Sequence, residues 1–408
     1  MAAQGLEYNA GTYALPFAPS RGVVAAPGFD ELSRTFEAWQ VLRLGGREYV
    51  DAVIAPGHRG PSPELAVALK RWPGAHYWTD RTRTGLVLVR PVEGEHGERW
   101  WLHVGLGLLT VVCALGAGAT LAGAWSPSLE LTRYGALGGA ILSGFHFFGD
   151  VMQGAWRDIL PGASFAFPLL AILLVHELGH YFTARRYGID TSPPFFLPVP
   201  PSLSPIGSLG AFIRMRSPVL DRRQLLDVGA AGPLAGFVVT LVVLWLGYAH
   251  SEALTVTAQS AGDFVTYAGR EIYLGDSLLT MALRQHFFPD AAAVALSPMA
   301  FAGWVGAFVT ALNLVPLSQL DGGHVLYAMF GRRQTTIGAA ALIGLLLLGR
   351  SSPSWWIWAV LALLIGGGRW THPSVLAPER PVPPGRRWIG WACVVVFVLT
   401  FVPVPFVM

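Results

Sequence analysis

The stretch LLVHELGHYFTARR, residues 173–186, places His176, Glu177 and His180 at the end of a long apolar run. Residues 159–176 contain no Asp, Glu, Lys or Arg, which is typical of a helix that crosses a membrane. Acidic or basic side chains at the centre of an inserted helix cost about 2.5–3.5 kcal/mol each, so ionisable groups there usually belong to a functional site. The stretch therefore predicts a membrane protein whose chemistry lies in these three side chains.

The composition of the whole chain agrees with a membrane protein. Of the 408 residues, 53% are hydrophobic and only 13% are charged, and the mean hydropathy is +0.47. These values exclude an ordinary soluble enzyme of this length. Cys113 and Cys393 are the only cysteines, and both lie in apolar runs, so they indicate neither a disulfide framework nor a cysteine-based zinc site.

Residues 1–98, which we call the head, are mixed in polarity and predict a small soluble α+β domain. VLRLGGREYVDAVIA, residues 41–55, predicts two strands around a Gly-Gly turn. PELAVALKRW, residues 63–72, predicts a short helix that starts at a proline, and TGLVLVRPV, residues 84–92, predicts another strand. No residue of the head suggests a reaction.

After Arg99 the sequence changes to long uncharged runs, which predict membrane-spanning helices. A span needs about 20 apolar residues, so the shorter runs are ambiguous. The runs are 100–129, 134–149, 159–176, 228–251, 291–320, 334–349, 351–368 and 388–408.

Basic residues crowd the loop 185–225, whereas acidic residues prevail in the loop 252–290. By the positive-inside rule the first loop is cytoplasmic, together with the head, and the second is outside. If 100–124 exits and 163–183 returns, residues 134–149 cannot also cross. We expect them to be re-entrant or interfacial; the alternative is a head on the outside and a full extra span.

The spacing within HELGH predicts a metal site. Side chains four residues apart lie on one face of a helix, so His176 and His180 can direct both imidazoles at one ion, with Glu177 beside them. Neutral imidazoles suit zinc, and a catalytic zinc needs a third protein ligand and one open position. Glu177 is then the expected general base, which takes a proton from the attacking water and later delivers one to the leaving amine.

The third ligand should be a carboxylate or a histidine at the same membrane depth. Asp321 is the first acidic residue after the uncharged run 291–320. His176 lies nine residues before Arg185, and Asp321 lies eleven before Arg332. At about 1.5 Å per helical residue, both side chains are expected at a similar height above the cytoplasmic face.

The residues around Asp321 suggest how it could turn inward. Pro316 should end the preceding helix, and Gly322 and Gly323 should free the backbone. The alternative interpretation of this segment is a plain Asp-Gly turn at the end of a helix.

Three motifs together resemble one family. HELGH at 176–180, GPLAG at 232–236, and Asn313, Pro316 and Leu320-Asp321-Gly322 in their spacing resemble the site-2 protease family of intramembrane zinc metalloproteases. The resemblance covers residues 163–325. It implies a polytopic all-α membrane bundle with a three-helix zinc-protease core, to which the head adds the small soluble domain.

The resemblance also implies roles for single residues. His176, His180 and Asp321 would hold one Zn²⁺ per chain, and Glu177 would be the base. Asn313 would steady substrate or the oxyanion. Gly232 and Gly236 form a small-xxx-small face that permits close helix approach near the site.

PPFFLPVPPSLSPIGSLGAFIRMRSP, residues 193–218, is too rich in proline for a helix. It is similar to the corresponding segment of family members that include the chloroplast and cyanobacterial branch. Irregular backbone at membrane depth is tolerated where it is buried or lines a cavity. We expect the segment to fold back toward the metal, with 207–215, which include Gly207 and Gly210, offering a strand edge to unwound substrate. The alternative is a surface loop held by prolines.

The domain organisation predicted from these features has four parts. They are the head (1–98), a first transmembrane helix with a re-entrant or extra helix (99–160), a catalytic membrane core (161–330) and C-terminal transmembrane helices (331–408). The 39 residues of the loop 252–290 are too few for the PDZ domain that many relatives carry there.

By the resemblance, the substrate is a transmembrane protein, cut within or near its membrane segment in regulated proteolysis or in clearance of membrane peptides. We expect contact with the lipid bilayer, no nucleic-acid partner, and a bacterial inner membrane with the site open to the cytoplasm; the sequence leaves the oligomeric state open. The first rival is an ion-coupled transporter that uses the same His, Glu and Asp cluster. The second is a non-catalytic relative that keeps the scaffold as a binding module.

Overall fold

The predicted α+β head is confirmed in the structure, a computed structural model. The structure describes residues 24, 26–44, 46–59, 62–79, 82–92, 97–126, 135–217, 219–254, 262–372, 375, 377–378 and 380–407. Within the described part of the head, the elements are α1 (Phe29–Ser33), β1 (Phe36–Leu44), β2 (Arg47–Ile54), α2 (Pro63–Arg71), β3 (Ala75–Trp78) and β4 (Gly85–Pro91).

The head folds as an antiparallel sheet in the order β1-β2-β4-β3, with α1 and α2 packed against it. Strands β1 and β2 pair antiparallel, with Leu44 opposite Arg47, as the two strands predicted for 41–55 require; Gly45 of the predicted turn lies outside the described residues. Helix α2 begins at Pro63, capped by the Ser62 hydroxyl. The short elements α1 and β3 were not predicted, because four or five residues carry too little periodicity to distinguish them from a loop.

The rest of the chain is rich in apolar helices. They are α3 (Trp100–Leu121), α4 (Gly135–Asp150), α5 (Trp156–Ile159), α6 (Ala163–Arg186), α7 (Arg222–Ala249), α8 (Leu278–Phe287), α9 (Pro298–Asn313), α10 (Asp321–Phe330), α11 (Gln334–Leu348), α12 (Ser354–Ile365) and α13 (Arg387–Thr400). Three stretches of the described residues are long and apolar enough to cross a membrane: α3, the composite Leu137–Arg186, and α7.

The later helices are shorter than a full span. Helices α9, α11, α12 and α13 contain 16, 15, 12 and 14 residues, against about 20 for a complete crossing. That the last three cross the membrane stays a prediction.

Helices α6, α7 and α9 pack closely at the centre of the molecule. A Cβ added at Gly179 of α6 would lie 2.5 Å from the Ala231 carbonyl oxygen of α7, and one at Gly247 of α7 would lie 2.4 Å from Ala300 of α9. Small residues at these crossings let the backbones approach, as is typical of helix packing in membranes.

The proline-rich segment is not helical, as predicted. It forms a hairpin of β5 (Phe195–Pro198) and β6 (Ser208–Phe212), which lies along α3. The His103 ring stacks on Phe195 with centroids 3.9 Å apart, and a Cβ at Gly207 would lie 2.5 Å from the Cys113 carbonyl oxygen. Because His103 and Cys113 are ten helical residues apart, the hairpin follows about 15 Å of α3.

A second sheet, which was not predicted from the sequence, lies at the far end of α7. We call it the outer sheet. It contains β7 (Glu252–Leu254), β8 (Gly262–Tyr267), β9 (Arg270–Leu274), β10 (Ala293–Ala295) and β11 (Phe406–Val407), in the order β11-β9-β8-β10-β7. Its strands come from two distant parts of the chain, which explains why local patterns did not indicate it.

The head packs at the opposite end of α7 from the outer sheet. The Tyr77 hydroxyl of the head donates a hydrogen bond to Asp221, the residue before α7. A shared apolar cluster joins the head to the end of α6 and to the loop that follows it, through Val87, Val89, Tyr187 and Ile189. The head therefore lies on the same side as the arginine-rich loop 185–225.

Residues 135–162, which contain α4 and α5, begin and end on the same side of the helical core, near the far end of α3. Gly162, which precedes α6, touches Gly118 near the far end of α3: a Cβ at Gly118 would lie 2.4 Å from the Gly162 carbonyl oxygen. On that side α4 contacts the tip of the hairpin, where Ser202 donates a hydrogen bond to the Ala140 carbonyl. This is the arrangement that a re-entrant or interfacial segment would have.

Candidate metal centre

One turn of α6 supplies the first part of the site. His176, Glu177 and His180 are buried, each 5–7% exposed. The helix begins after Gly162 and runs to Arg186, so the three side chains lie in its second half. The i and i+4 spacing places both imidazoles on one face, as the sequence predicted; the two ring centroids are 4.9 Å apart.

Asp321 arrives from the start of α10. Helix α9 ends at Asn313, before Pro316, as predicted. Gly322 and Gly323, in contrast, do not free the backbone, because both have ordinary helical positions in the first turn of α10. They provide space instead: a Cβ at Gly322 would lie 2.0 Å from the Leu314 carbonyl oxygen, and one at Gly323 would lie 2.3 Å from that of Ser318.

The structure brings the three predicted metal ligands together. His176 Nε2 lies 3.2 Å from Asp321 Oδ2, and His180 Nε2 lies 3.3 Å from the same oxygen. The two Nε2 atoms are 3.2 Å apart. In a tetrahedral zinc site with bonds of about 2.0–2.1 Å, ligand atoms are separated by about 3.3–3.4 Å. The triangle therefore has the size that zinc requires.

The hydrogen bond on the other side of His180 determines its tautomer. Nδ1 lies 2.7 Å from the Val228 carbonyl oxygen of α7, and a carbonyl can only accept, so Nδ1 carries the proton. In the neutral ring Nε2 then presents a lone pair to the Asp321 carboxylate. A lone pair and a carboxylate oxygen repel each other unless a cation lies between them, so this set of atoms fits a bound zinc ion.

The glycines of GPLAG give the imidazoles their space. A Cβ at Gly232 would lie 2.1 Å from His180 Nε2, and one at Gly236 would lie 3.1 Å from His176 Cβ. The close approach that the sequence predicted here is therefore directly against the two histidines, and any side chain at Gly232 would occupy the position of the ring.

Glu177 faces a cavity between α6 and the hairpin. The cavity is lined by the three candidate ligands, by Glu177 and by Ala211, Phe212 and Ile213 at the end of β6. The Ile213 backbone N–H donates a hydrogen bond to the Glu177 carboxylate. The exposed side chains of Arg214 and Met215 also border the cavity, which therefore opens on the side of the head.

Of the other predicted site residues, Asn313 borders the cavity, whereas two glycines of the hairpin do not. The Asn313 amide nitrogen lies 3.4 Å from His176 Nε2 and borders the cavity. Gly207 and Gly210 do not border it. Gly207 packs on α3, whereas Gly210 has open space around it and a φ of 103° that favours glycine.

Sequence reasoning missed two contributors. Ile213 acts through its backbone, which no side-chain pattern records. Ile365, at the end of α12, borders the cavity although it lies more than forty residues beyond Asp321 and belongs to no motif. His324, whose position just after Asp321 in the sequence already suggested a role in proton supply or metal support, does border the cavity, and its Nδ1 lies 2.6 Å from His372 Nε2.

Comparison with known proteins confirms the resemblance to the site-2 protease family. Residues 164–348 match the model of Peptidase family M50. This range includes all four residues of the predicted zinc and base set, and zinc is the cofactor that the match implies.

The chain is similar to several curated relatives. It is 30% identical to the "Probable zinc metalloprotease EGY2, chloroplastic" of Arabidopsis thaliana, over 61% of this chain and 42% of that protein. It is 30% identical to EGY1 of the same organism, described in the same words, over 59% and 42%. It is 27% identical to the "Probable zinc metalloprotease EGY3, chloroplastic" of Oryza sativa subsp. indica, over 68% and 47%.

The chain thus spans less than half the length of these three relatives. Their names place them in chloroplasts, so the expected bacterial inner membrane has no support from them. No solved structure matches the chain.

Proposed function

We propose that the chain is an intramembrane zinc metalloprotease that cleaves a peptide bond within or near the membrane segment of a transmembrane protein. The observation that carries the proposal is the triangle of His176, His180 and Asp321, whose ligand atoms lie 3.2–3.3 Å apart beside Glu177. Two of its vertices belong to a helix with the length and hydropathy of a membrane span. The names of the curated relatives support the same class of enzyme.

The residues of the site have separate tasks in this reaction. Zinc, when bound, supplies Lewis-acid chemistry at the carbonyl that is attacked. The Val228 carbonyl holds the His180 ring in the orientation that binds the ion. The Glu177 carboxylate takes a proton from the attacking water and delivers it to the leaving nitrogen. The Ile213 N–H, which bonds to that carboxylate, keeps it directed into the cavity.

Strand β6 is suited to hold unwound substrate. A helical substrate keeps its carbonyls in hydrogen bonds, so it must be opened before water can attack. Phe195 pairs with Phe212, and Phe196 with Ala211. In a strand the backbone groups of successive residues point to opposite edges, so Ala211 and Ile213 point to the same edge. Because the Ile213 N–H faces Glu177, the backbone of Ala211 faces the cavity as well. An extended substrate can pair with this edge by β-augmentation.

The sides of the membrane follow from charge and packing. The cavity reaches Arg214 on the side of the head, where the arginine-rich loop lies. Water therefore enters the site from that side, which in a cell is the cytoplasmic or equivalent compartment. Within this proposal the partners are a bilayer and a single-span protein, whose cut releases a fragment or clears a remnant peptide.

The transporter alternative makes use of the same buried groups but explains less of the geometry. An ion pathway has no need for three ligand atoms at zinc spacing, nor for a carboxylate placed one residue after the first imidazole. The presence of the candidate base Glu177 also argues against the second rival, a non-catalytic relative that keeps the scaffold as a binding module.

The deciding experiment uses the full chain reconstituted in liposomes with a single-span reporter protein. Wild type and Glu177→Gln are compared for zinc per chain and for cleavage of the reporter. We expect about one zinc in both and cleavage by wild type alone, because the amide cannot accept the proton. Ion or proton flux that depends on Glu177, with no cleavage by either form, would establish the transporter instead.

A further inference from the structure

An apolar groove adjoins the metal centre. It lies between α9, α11 and α12, and we call it the α12 groove. Its main lining residues are all apolar: Leu312, Leu345, Trp355, Trp358, Leu361 and Ala362.

The α12 groove ends at the metal centre. Asn313, Leu320 and Ile365 line both the groove and the cavity that contains Glu177. Asn313 connects the two directly, because its amide nitrogen lies 3.4 Å from His176 Nε2. A chain that occupies the cavity can therefore extend into the groove without leaving the protein surface.

The groove has a direction across the membrane core. Trp355 Nε1 donates a hydrogen bond to the Pro403 carbonyl, just before β11 of the outer sheet. Ile365 lies ten residues later on α12, which is about 15 Å of helix. The groove thus runs from the outer-sheet side to the metal, whereas the edge of β6 lies toward the head.

The groove is also open at its side. Leu361 is 39% exposed and Ile365 is 52% exposed, on a face of α12 that contains no charged residue. A segment can therefore enter laterally from the lipid. A polar side chain would lose its hydrogen bonds there, so the lining selects an apolar occupant.

Building on the protease function proposed above, we propose that the α12 groove is a specificity pocket for substrate. It receives a large aliphatic or aromatic side chain from the substrate residue next to the scissile bond, on the part of the segment directed to the outer sheet. Continuity with the metal centre through Asn313 and Leu320 identifies the occupant as the chain being cut. Trp355 and Trp358 form part of the apolar wall that this side chain would contact.

Cross-linking tests where the substrate lies without requiring turnover. Leu361→Cys is introduced into the Glu177→Gln protein in liposomes, together with reporters that carry one cysteine at successive positions, and a short bismaleimide is added. Leu364→Cys is the matched control, since Leu364 is 70% exposed on the same helix and does not line the groove. The unmodified Glu177→Gln protein, with only Cys113 and Cys393, gives the background.

We expect Leu361→Cys to cross-link to positions within about two residues of the cut made by wild type, and Leu364→Cys not to do so. Equal cross-linking of both variants, or none, while wild type cleaves the same reporter would overturn the pocket and leave the protease intact. Absence of cleavage by wild type would overturn the protease function itself.

A kinetic experiment tests the selectivity. Leu361→Trp reduces the space in the groove, and reporters carry Ala, Leu or Phe at the residue next to the cut. We expect KM to rise about tenfold for the Leu and Phe reporters but not for the Ala reporter. The narrowed groove no longer accepts the larger substrate side chains, which then lose their contacts with an apolar pocket. Zinc per chain should not change. An equal change in KM for all three reporters would overturn the proposal.

Discussion

Among the described residues, two of the regions that bury charged side chains are arranged in opposite ways. Between the head and the helical core, two carboxylates meet guanidinium groups: Asp51 bonds to Arg380, and Asp190 lies 3.8 Å from Arg47. We call these contacts the interface network. At the metal centre, Asp321 meets two imidazole nitrogens instead, with no guanidinium among the described residues that line the buried part of the cavity.

The difference separates a structural role from a chemical one. In the interface network the charges neutralise each other, and Arg216, which hydrogen-bonds to Glu98 at 2.6 Å, lowers the pKa of that carboxyl. At the metal centre the carboxyl groups of Glu177 and Asp321 lie beside two imidazole nitrogens, with no guanidinium of the described residues between them. A divalent cation completes that arrangement. Burial of charged side chains alone therefore does not identify a metal site. A metal site is indicated where several ligand atoms point to one position and no cationic side chain lies among them.

The largest expected effect is the loss of a ligand. His180→Ala should reduce zinc per chain from about one to nearly zero, and abolish cleavage, because two protein ligands remain where a catalytic zinc site needs three. The loss should exceed the roughly 10–100-fold that removal of an outer hydrogen-bond partner costs. His250→Ala, at an exposed histidine beyond the end of α7, is the control. Unchanged zinc in His180→Ala would contradict the assignment of His180 as a metal ligand.

The next effect concerns the space that the glycines of α7 leave for the two imidazoles. Gly232→Ala places a Cβ 2.1 Å from His180 Nε2, so the ring or α7 must move. We expect most of the zinc to be lost, with a lower unfolding temperature. Gly344→Ala is the matched variant, because a Cβ at Gly344 meets no atom within 4 Å. Zinc measured by mass spectrometry and unfolding followed by fluorescence would show a difference between the two; equal behaviour would contradict the packing argument.

A smaller effect is expected in the interface network, and on stability alone. Arg380→Met leaves the buried Asp51 carboxylate without its cation, which should lower the free energy of unfolding by about 3–5 kcal/mol. Arg380 is only 5% exposed, so water cannot replace it. Thermal unfolding of the detergent-solubilised protein measures the loss, and zinc per chain should stay near one.

The double variant Asp51→Leu with Arg380→Met should recover most of that stability, because the Asp51 carboxylate is no longer present to be left without its cation. A loss of zinc in Arg380→Met would show that the two regions are coupled, contrary to the separation drawn above.

The smallest effect is expected where an ion pair is exposed. Arg71 and Glu31 of the head lie 2.5 Å apart, but their side chains are 60% and 46% exposed. Arg71→Ala should therefore change the free energy of unfolding by about 0–1 kcal/mol. Thermal unfolding of this variant and of Arg380→Met compares the contribution of an exposed ion pair to stability with that of a buried one. A loss of stability as large as that of Arg380→Met would mean that burial does not control the contribution of these ion pairs.

Much of the site could be predicted because its signals are local. Three of the four predicted zinc and base residues belong to five consecutive residues of one helix, whose period places them on one face. The position of Asp321 followed from counting helical residues to the nearest arginines, and the structure brings it to the same depth. The role of Gly322 and Gly323 was predicted wrongly, because backbone freedom and lack of space both favour glycine and the sequence does not distinguish them.

The head was predictable for a similar reason, since hydrophobic alternation and the Gly-Gly turn are short-range patterns. The outer sheet was not, because its strands β9 and β11 are separated by more than 130 residues and pair only after the helices pack.

The types of the candidate ligands, their helical spacing and their apolar setting can all be read from the sequence without a structure. Three further features come from the tertiary structure. The Val228 carbonyl orients His180, the Ile213 N–H holds Glu177, and the α12 groove adjoins the metal centre. The physical reason is that periodicity is fixed by the backbone geometry of neighbouring residues, whereas these contacts join segments from 36 to about 190 residues apart and exist only when helices and hairpin pack together.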